Sequence, residues 1–275
     1  MLKKVCDFLF PHKQEVIKYD VQTFLSNHMP DFYSLVEVQR ISWTKINRIF
    51  GQHLNGIKKK FEQTRKPVPR DVTFYSIVIS KLKQDGRGDG MLDFYNSVFR
   101  SLSSQLDLTQ KRLVHKTLYN ILTEVDKNYL NFIGELTVLN EILKAKKYEL
   151  KNVEEKIKSN SNASADFLFL DKATSLELLI EVVNIHLESW ELKDEELVFN
   201  HITSKVTEKI KNKFTGAARP FCLQPVIWTK NIDDIHFLKK LYCKKVTLTE
   251  NVNSPYVYYS LLVKTYEHHF EKLSD

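Results

Sequence analysis

The sequence predicts an α/β protein in which a helical N-terminal domain is joined to a region that mixes helices and strands. Up to about residue 129, apolar residues recur at helical intervals, as in Ile46, Ile49, Phe50 and Ile57. After that point the pattern changes to one helix, three strand-like segments, a second helix and a further strand. The predicted order is therefore an α-β-β-β-α-β core that follows the helical domain.

Each element of the core has its own signal in the sequence. The expected segments are a helix at 132–146, strands at 148–158, 166–170 and 176–185, a helix at about 194–214 and a strand at 221–228. Gly216 suits the residue after the second helix. Ser254-Pro255 then predicts the start of a last helix. The residues expected on one side of this C-terminal helix are Leu261, Leu262, Tyr266 and Phe270.

The composition is that of a folded protein without a membrane segment. The chain has 275 residues, 43% hydrophobic, with only 7 Gly and 7 Pro, and this length suffices for one large domain or two ordinary ones. No apolar run reaches the roughly 18 residues needed to cross a bilayer, and Asp7 interrupts the apolar stretch near the start. Three distant cysteines form neither a disulfide framework nor a metal knuckle. We therefore expect a cytoplasmic protein.

Basic residues are concentrated in two segments, 41–70 and 200–245, of a chain whose net charge is +7. Residues 41–70 carry eight Lys and Arg against one acid, whereas residues 149–199 hold twelve acids against five bases. Such a distribution suits a protein that binds nucleic acid, with DNA favoured, while it keeps carboxylates near a metal ion. Ordinary solvated faces are the alternative. The candidate nucleic-acid-binding residues are Lys45, Arg48, Lys58, Lys59, Lys60, Arg65 and Lys66.

Two acids lie inside unusually apolar strands. Asp166 opens the run Phe-Leu-Phe-Leu, and Glu181 lies within Leu-Leu-Ile-Glu-Val-Val. A buried carboxylate without compensation is costly, so these acids either reach solvent at strand ends or belong to a site. If the two strands pair as a hairpin, the carboxylates converge, and two or three such oxygen ligands are enough to hold Mg²⁺ or Mn²⁺.

A third acid, Glu135, lies on the apolar face of the helix that precedes these strands. It shares this face with Val138, Leu139 and Ile142, and we expect it to point toward whatever the face covers. A third metal ligand is one interpretation of Glu135. Helix capping or a salt bridge to a lysine is the other.

The order of these elements resembles the PD-(D/E)XK superfamily of restriction-type nucleases and resolvases. The resemblance covers about 115 of the 275 residues: the helix with Glu135, a variable strand, a polar turn, Asp-Phe-Leu-Phe from Asp166, and Ile-Glu-Val around Glu181. It implies a restriction-endonuclease-like core in which Asp166 and Glu181 bind a divalent metal ion. Ala165 stands where the family has a proline.

The chain departs from the family at the lysine that orients or polarises the attacking water. This lysine would stand two residues after Glu181, on the same face of the strand, but the sequence has Val183 there. Some family members are thought to carry the lysine on the following helix. In this chain Lys205 is our first choice for the role and Lys209 the second, and solvated surface lysines are the alternative. The stripe at four-residue spacing comprises Lys205, Lys209 and Lys213.

The function expected from the resemblance is metal-dependent hydrolysis of phosphodiester bonds in DNA or RNA, in restriction, phage defence or repair. Residues 1–128 would form a helical nucleic-acid-binding domain, residues 129–250 the nuclease-like core, and residues 251–275 a helix packed on that core. The alternative is a catalytically inactive module that retains only binding to nucleic acid or protein, which Val183 favours. A homodimer is left open.

Overall fold

The computed structural model describes the chain between residues 20 and 273, with gaps. The described residues are 20–38, 41–65, 73–84, 86, 88–158, 162–187, 191–230, 232–245, 251–262 and 266–273. Across these ranges, no helix combines the length and the apolar character that a membrane span requires.

Helices occupy the N-terminal part of the chain. Their bounds are α1 (Val21–His28), α2 (Pro30–Glu37), α3 (Trp43–Thr64), α4 (Phe74–Leu82), α5 (Asp89–Gln105), α6 (Leu108–Leu113), α7 (His115–Thr123) and α8 (Tyr129–Lys144). The side chains of Asp20 and Ser42 cap α1 and α3, and Asp107 forms a capping box with Gln110 at α6. The predicted helical character of this region is confirmed for the residues described.

A mixed sheet of six strands follows, in the spatial order β1 to β6. The strands are β1 (Tyr148–Lys156), β2 (Ser164–Asp171), β3 (Glu177–His186), β4 (Phe221–Trp228), β5 (Tyr256–Leu262) and β6 (Tyr266–Lys272). The pairs β3–β4 and β4–β5 are parallel, and the other three pairs are antiparallel. Helix α9 (Glu195–Lys209), extended by a π-helical turn (Ile210–Phe214), leads to β4, and α10 (Ile232–Lys245) leads to β5. The α/β class and the order helix, strand, strand, strand, helix, strand are present in α8 to β4.

The two faces of the sheet belong to different apolar cores. Phe167, Ile180 and Val182 pack with the buried residues of α1 to α8 in one continuous core. Leu179 and Val183, on the opposite face, pack in a second core with α9 and α10. Side chains of a strand alternate between faces, so β3 supplies both cores from successive positions. The helical region therefore shares its core with one face of the sheet.

The predicted C-terminal helix is wrong, because residues 256–262 and 266–272 form the antiparallel strands β5 and β6. Ser254-Pro255 is a local signal that also fits the entry to a strand, where proline removes no ladder hydrogen bond. The run Tyr256-Val257-Tyr258-Tyr259 has the aromatic and β-branched character of a strand. Pairing of Val257 and Tyr258 with β4 extends the sheet, and this tertiary pairing outweighs the helix-start signal.

Candidate active site

The ladder between β2 and β3 ends where the two acids of interest lie. Among the described residues, register pairs between these strands stop at Phe167 and Ile180. Asp166 and Glu181 are the next facing positions and lie on the same side of the sheet. The backbone N–H of Val182 donates to Asp166 Oδ2 at 2.7 Å instead of to a neighbouring carbonyl. The predicted hairpin is confirmed, and the opening at Asp166, Glu181 and Val182 is called the fork below.

Asp166 is half-buried and carries a strongly perturbed carboxyl group. Burial, followed by repulsion from the Glu181 carboxylate, raises the pKa of Asp166 from its ordinary value of 3.8 to about 7. The charges of Lys213 and Lys209 and the hydrogen bond from Val182 act in the opposite direction but do not cancel this effect. Asp166 therefore gains and loses its proton near neutral pH, and a cation bound beside it would displace that proton.

Glu181 is fully buried and has its two carboxylate oxygens in different environments. Oε1 accepts hydrogen bonds from Lys209 Nζ at 2.6 Å and from Lys213 Nζ at 2.5 Å. Oε2 is buried and has no hydrogen-bond partner among the residues described. Because a buried oxygen without a partner is uncommon and destabilising, Oε2 is the atom at the fork best placed to accept a further ligand.

The two lysines that meet Glu181 differ in exposure and in their other contacts. The Lys213 side chain is 26% exposed and also donates to the Ser164 carbonyl at 3.0 Å. The Lys209 side chain is 38% exposed, and its described hydrogen bond is to Glu181. Burial by itself lowers the pKa of Lys209, but attraction to Glu181 and the hydrogen bond with it raise this pKa overall. Lys209 is thus a charged and comparatively accessible ammonium, whereas Lys213 ties the π-helical turn to β2.

The π-helical turn at Ile210–Phe214 begins directly after Lys209 and includes Lys213. Such turns are rare and occur frequently at functional sites. Here the turn continues the helix whose buried residues Val198, Ile202 and Val206 face the sheet. The local geometry at the end of α9 thereby brings two ammonium groups to one oxygen of β3.

Glu135 approaches the same acids from the helical side of the sheet. Burial, followed by the negative charges of Asp166, Glu181 and Glu154, holds the pKa of Glu135 well above its ordinary value, and Lys209 only partly opposes this. Glu135 forms no hydrogen bond or ion pair within the part of the chain that is described, so the salt bridge considered from the sequence is not observed there. The carboxyl group is placed near the fork by the position of α8 alone.

The remaining lysine of the predicted stripe, Lys205, is exposed and makes no described contact with the fork. The first choice for a relocated lysine is therefore not brought to the acids, whereas the second choice, Lys209, is. Val183 is 1% exposed and lies in the apolar core under α9. Lys213 lies on the predicted stripe but was neither the first nor the second choice. The π-helical turn that directs it toward Glu181 leaves no recognisable pattern in the sequence.

The basic segment of the N-terminal region forms the amphipathic helix α3, which buries Ile46, Phe50 and Leu54. Lys45 Nζ lies 5.3 Å from the centroid of the Tyr119 ring. Lys66 lies outside the described residues. Of the other predicted residues, Lys58 is half-buried, and those that are exposed are Lys45, Arg48, Lys59, Lys60 and Arg65.

The fork was tested for its fit to a divalent metal ion. In the described ranges, no three His, Cys, Asp or Glu side chains are grouped closely enough to form a ready-made metal site. Mg²⁺, however, is commonly held by one or two carboxylates and several waters. The Asp166 carboxyl and the unpartnered Glu181 Oε2 supply two such oxygens. The donor set fits a hard, partly hydrated ion.

Comparison of the chain with protein-family models, with curated proteins and with solved structures found no match. The interpretation of the fork therefore depends on its own geometry.

Proposed function

We propose that this protein is a metal-dependent nuclease of the PD-(D/E)XK kind that hydrolyses phosphodiester bonds in nucleic acid, with DNA as the favoured substrate. The observation that carries the proposal is the convergence at the fork of Asp166 and Glu181, from paired strands, with the ammonium group of Lys209. A position with two acids and one accessible cation matches the needs of this reaction, since the acids would hold a divalent ion and the cation would neutralise charge on the phosphate.

Each residue of the fork has a distinct role in this proposal. Asp166 and Glu181 Oε2 would hold a divalent ion, whose chemistry there would be that of a Lewis acid that makes water a better nucleophile. Lys209, whose side chain is 38% exposed, orients the attacking water or neutralises a phosphate oxygen. Lys213 keeps Glu181 in place through its bonds to Oε1 and to the Ser164 carbonyl. In this proposal Lys209 takes the role of the lysine that orients or polarises the attacking water, because position 183 is a valine.

The exposed cations of α3 supply the proposed contact with the nucleic acid backbone. Lys59, Lys60 and Arg65 are exposed at the end of the helix, where the described acid is Glu62. Phosphate contacts of this kind give affinity without sequence specificity. They weaken as the salt concentration rises, because the release of counterions from the nucleic acid then gains less free energy. The proposal therefore includes binding that decreases steeply with ionic strength.

The direct test is cleavage of DNA and RNA by the purified protein with Mg²⁺ or Mn²⁺. We expect cleavage in the wild type and a loss of roughly 100-fold or more in kcat for Glu181→Ala and Lys209→Ala. Lys205→Ala is the matched control, because it removes an exposed lysine from the same helix and should leave kcat unchanged. Absence of metal-dependent cleavage, or cleavage that survives Glu181→Ala, would overturn the proposal.

A second candidate is a nuclease-derived module that binds nucleic acid without cleaving it. It is favoured by one observation: both lysines at the fork already contact Glu181 Oε1, an arrangement that would also serve purely as a structural ion pair. This reading predicts salt-dependent binding that is insensitive to Mg²⁺ and to Lys209→Ala. A gel-shift series at several salt concentrations, with and without Mg²⁺, separates it from the nuclease.

A further inference from the structure

Helix α8 lies very near the sheet at Gly134. A Cβ atom at this buried residue would lie 2.3 Å from Asn184 Oδ1 and 3.2 Å from Trp228 Cζ2. The first distance is far shorter than a normal van der Waals contact, so only glycine allows the helix to lie this near β3. Gly134 is followed directly by Glu135, whose carboxyl group is the third acid near the fork.

The Asn184 side chain is held in place, because both the oxygen and the nitrogen of its amide form hydrogen bonds. Its Oδ1 accepts from Trp228 Nε1 at 2.9 Å, and its Nδ2 donates to the Asn131 carbonyl at 3.2 Å. His186 strengthens the arrangement, since it hydrogen-bonds Asn131 Oδ1 at 3.0 Å and stacks on Trp228 at 5.9 Å between ring centroids. These contacts clamp one turn of α8, from Asn131 to Glu135, against β3 and β4.

We infer that Gly134 and Asn184 are positioning residues that set how far Glu135 extends toward the fork. Glu135 has no hydrogen bond of its own among the described residues, so its position follows that of its helix. Asn184 lies on the face of β3 opposite to Val183 and Glu181. Strand β3 therefore carries Glu181 on one face and, on the other, the residue that contacts α8 beside Glu135. The inference rests on the proposed function and adds Glu135 to the groups that would act on an ion held by Asp166 and Glu181.

The test measures Mn²⁺ affinity by titration calorimetry and cleavage kinetics for Gly134→Ala, alone and combined with Glu135→Gln. Displacing a group that supports a metal site typically costs roughly 10- to 100-fold in affinity or activity. We expect Gly134→Ala to weaken Mn²⁺ binding by about tenfold and to lower kcat with little change in KM. In the Glu135→Gln background the same substitution should have no further effect on Mn²⁺ affinity, because an amide at position 135 cannot become a carboxylate beside the ion.

Two further variants distinguish positioning from simple damage to the fold. Asn184→Ala removes the atom that a Cβ at 134 would strike, so adding Gly134→Ala to it should cost little in melting temperature or Mn²⁺ affinity. Gly56→Ala is the matched glycine control, because nothing lies within 4 Å of its added Cβ, and Mn²⁺ affinity should stay unchanged.

The inference is overturned if Gly134→Ala leaves Mn²⁺ affinity unchanged, if its effect persists at full size beside Glu135→Gln, or if the wild type binds no Mn²⁺. A wild type that binds Mn²⁺ with the expected dependence on Gly134 and Glu135 but cleaves nothing would contradict the nuclease and leave the positioning role intact. Cleavage kinetics therefore test the nuclease activity, and the Mn²⁺ affinities of the variants test the positioning role.

Discussion

Replacing Asp166 by Asn should stabilise the metal-free protein while it abolishes cleavage. The amide keeps an oxygen that can accept the hydrogen bond of Val182, which Asp166 Oδ2 accepts in the structure. The amide also removes the negative charge of Asp166. Burial and the Glu181 carboxylate make this charge unfavourable, which is why the pKa of Asp166 is raised to about 7. Active sites commonly retain groups that reduce stability, so the variant tests whether the fork is such a site.

The magnitude follows from the difference between the folded and the unfolded protein. The unfolded chain releases the Asp166 proton near pH 3.8 and the folded chain near pH 7. Between these values the folded state binds more protons, so its stability falls as pH rises and levels off above pH 7. Each tenfold difference in the ionisation constant corresponds to about 1.4 kcal/mol, which gives an expected gain for Asp166→Asn of about 2 to 4 kcal/mol at pH 8. The gain should disappear as pH approaches 4.

The assay is urea unfolding of wild type and variant, without divalent metal, at several pH values between 4 and 8. Asp171→Asn is the matched control on the same strand. Burial tends to raise the pKa of Asp171, but hydrogen bonds from Thr174 and Ala173 and its contact with Lys147 lower it overall. That substitution should therefore destabilise the protein at pH 8. A pH-independent effect of Asp166→Asn, or a loss of stability at pH 8, would refute the reasoning.

Three further predictions concern the fork and the basic helix α3. Glu181→Gln should destabilise the protein by about 2 kcal/mol in urea unfolding. This is less than the loss of one partner of a fully buried ion pair costs, because Lys209 and Lys213 are partly exposed. A gain in stability would contradict the contacts assigned to Glu181. Lys213→Ala should lower the melting temperature more than Lys209→Ala does. Lys209→Ala should lower kcat more than Lys213→Ala does. The opposite result would make Lys213 the lysine that acts in the reaction and Lys209 the one that holds Glu181 in place. Reversing the charge of Lys59 and Lys60 should weaken DNA binding and reduce its dependence on salt, as measured by fluorescence anisotropy; an unchanged salt dependence would remove α3 from the binding surface.

The strands of the core could be predicted because their signals are local. Apolar runs of four to ten residues, separated by polar turns, indicated β2 and β3, and the structure confirms both. The sequence predicted that the two carboxylates could converge if these strands paired as a hairpin. The observed register, in which Leu170 pairs with Glu177 and Phe167 with Ile180, sets Asp166 opposite Glu181, and this register was not encoded by the spacing of the two acids.

The rest of the site depends on tertiary geometry that spacing does not encode. Lys205, Lys209 and Lys213 are equivalent in the sequence pattern, and the packing of α9 and the π-helical turn decide which two reach Glu181. Likewise, Asn184 shows no sequence signal for its contact with Gly134, because that contact depends on the distance between α8 and β3. The strands β5 and β6 were missed for the same reason, since pairing with β4 overrode a local helix signal.

Val183 lies in β3 beneath the helix that carries Lys209. It is buried at the position where the family resemblance expects a lysine, and it packs in the same core as Ile202 and Val206 of α9. A lysine at 183 would place an ammonium beneath this helix, where burial of an unpaired charge is costly. The apolar residue instead helps to seat α9 on the sheet, and a seated α9 delivers Lys209 to Glu181. The valine at 183 and the contact between Lys209 and Glu181 are thus two consequences of one packing arrangement. Enlarging Val183 should therefore disturb that contact, although neither Lys209 nor Glu181 is changed.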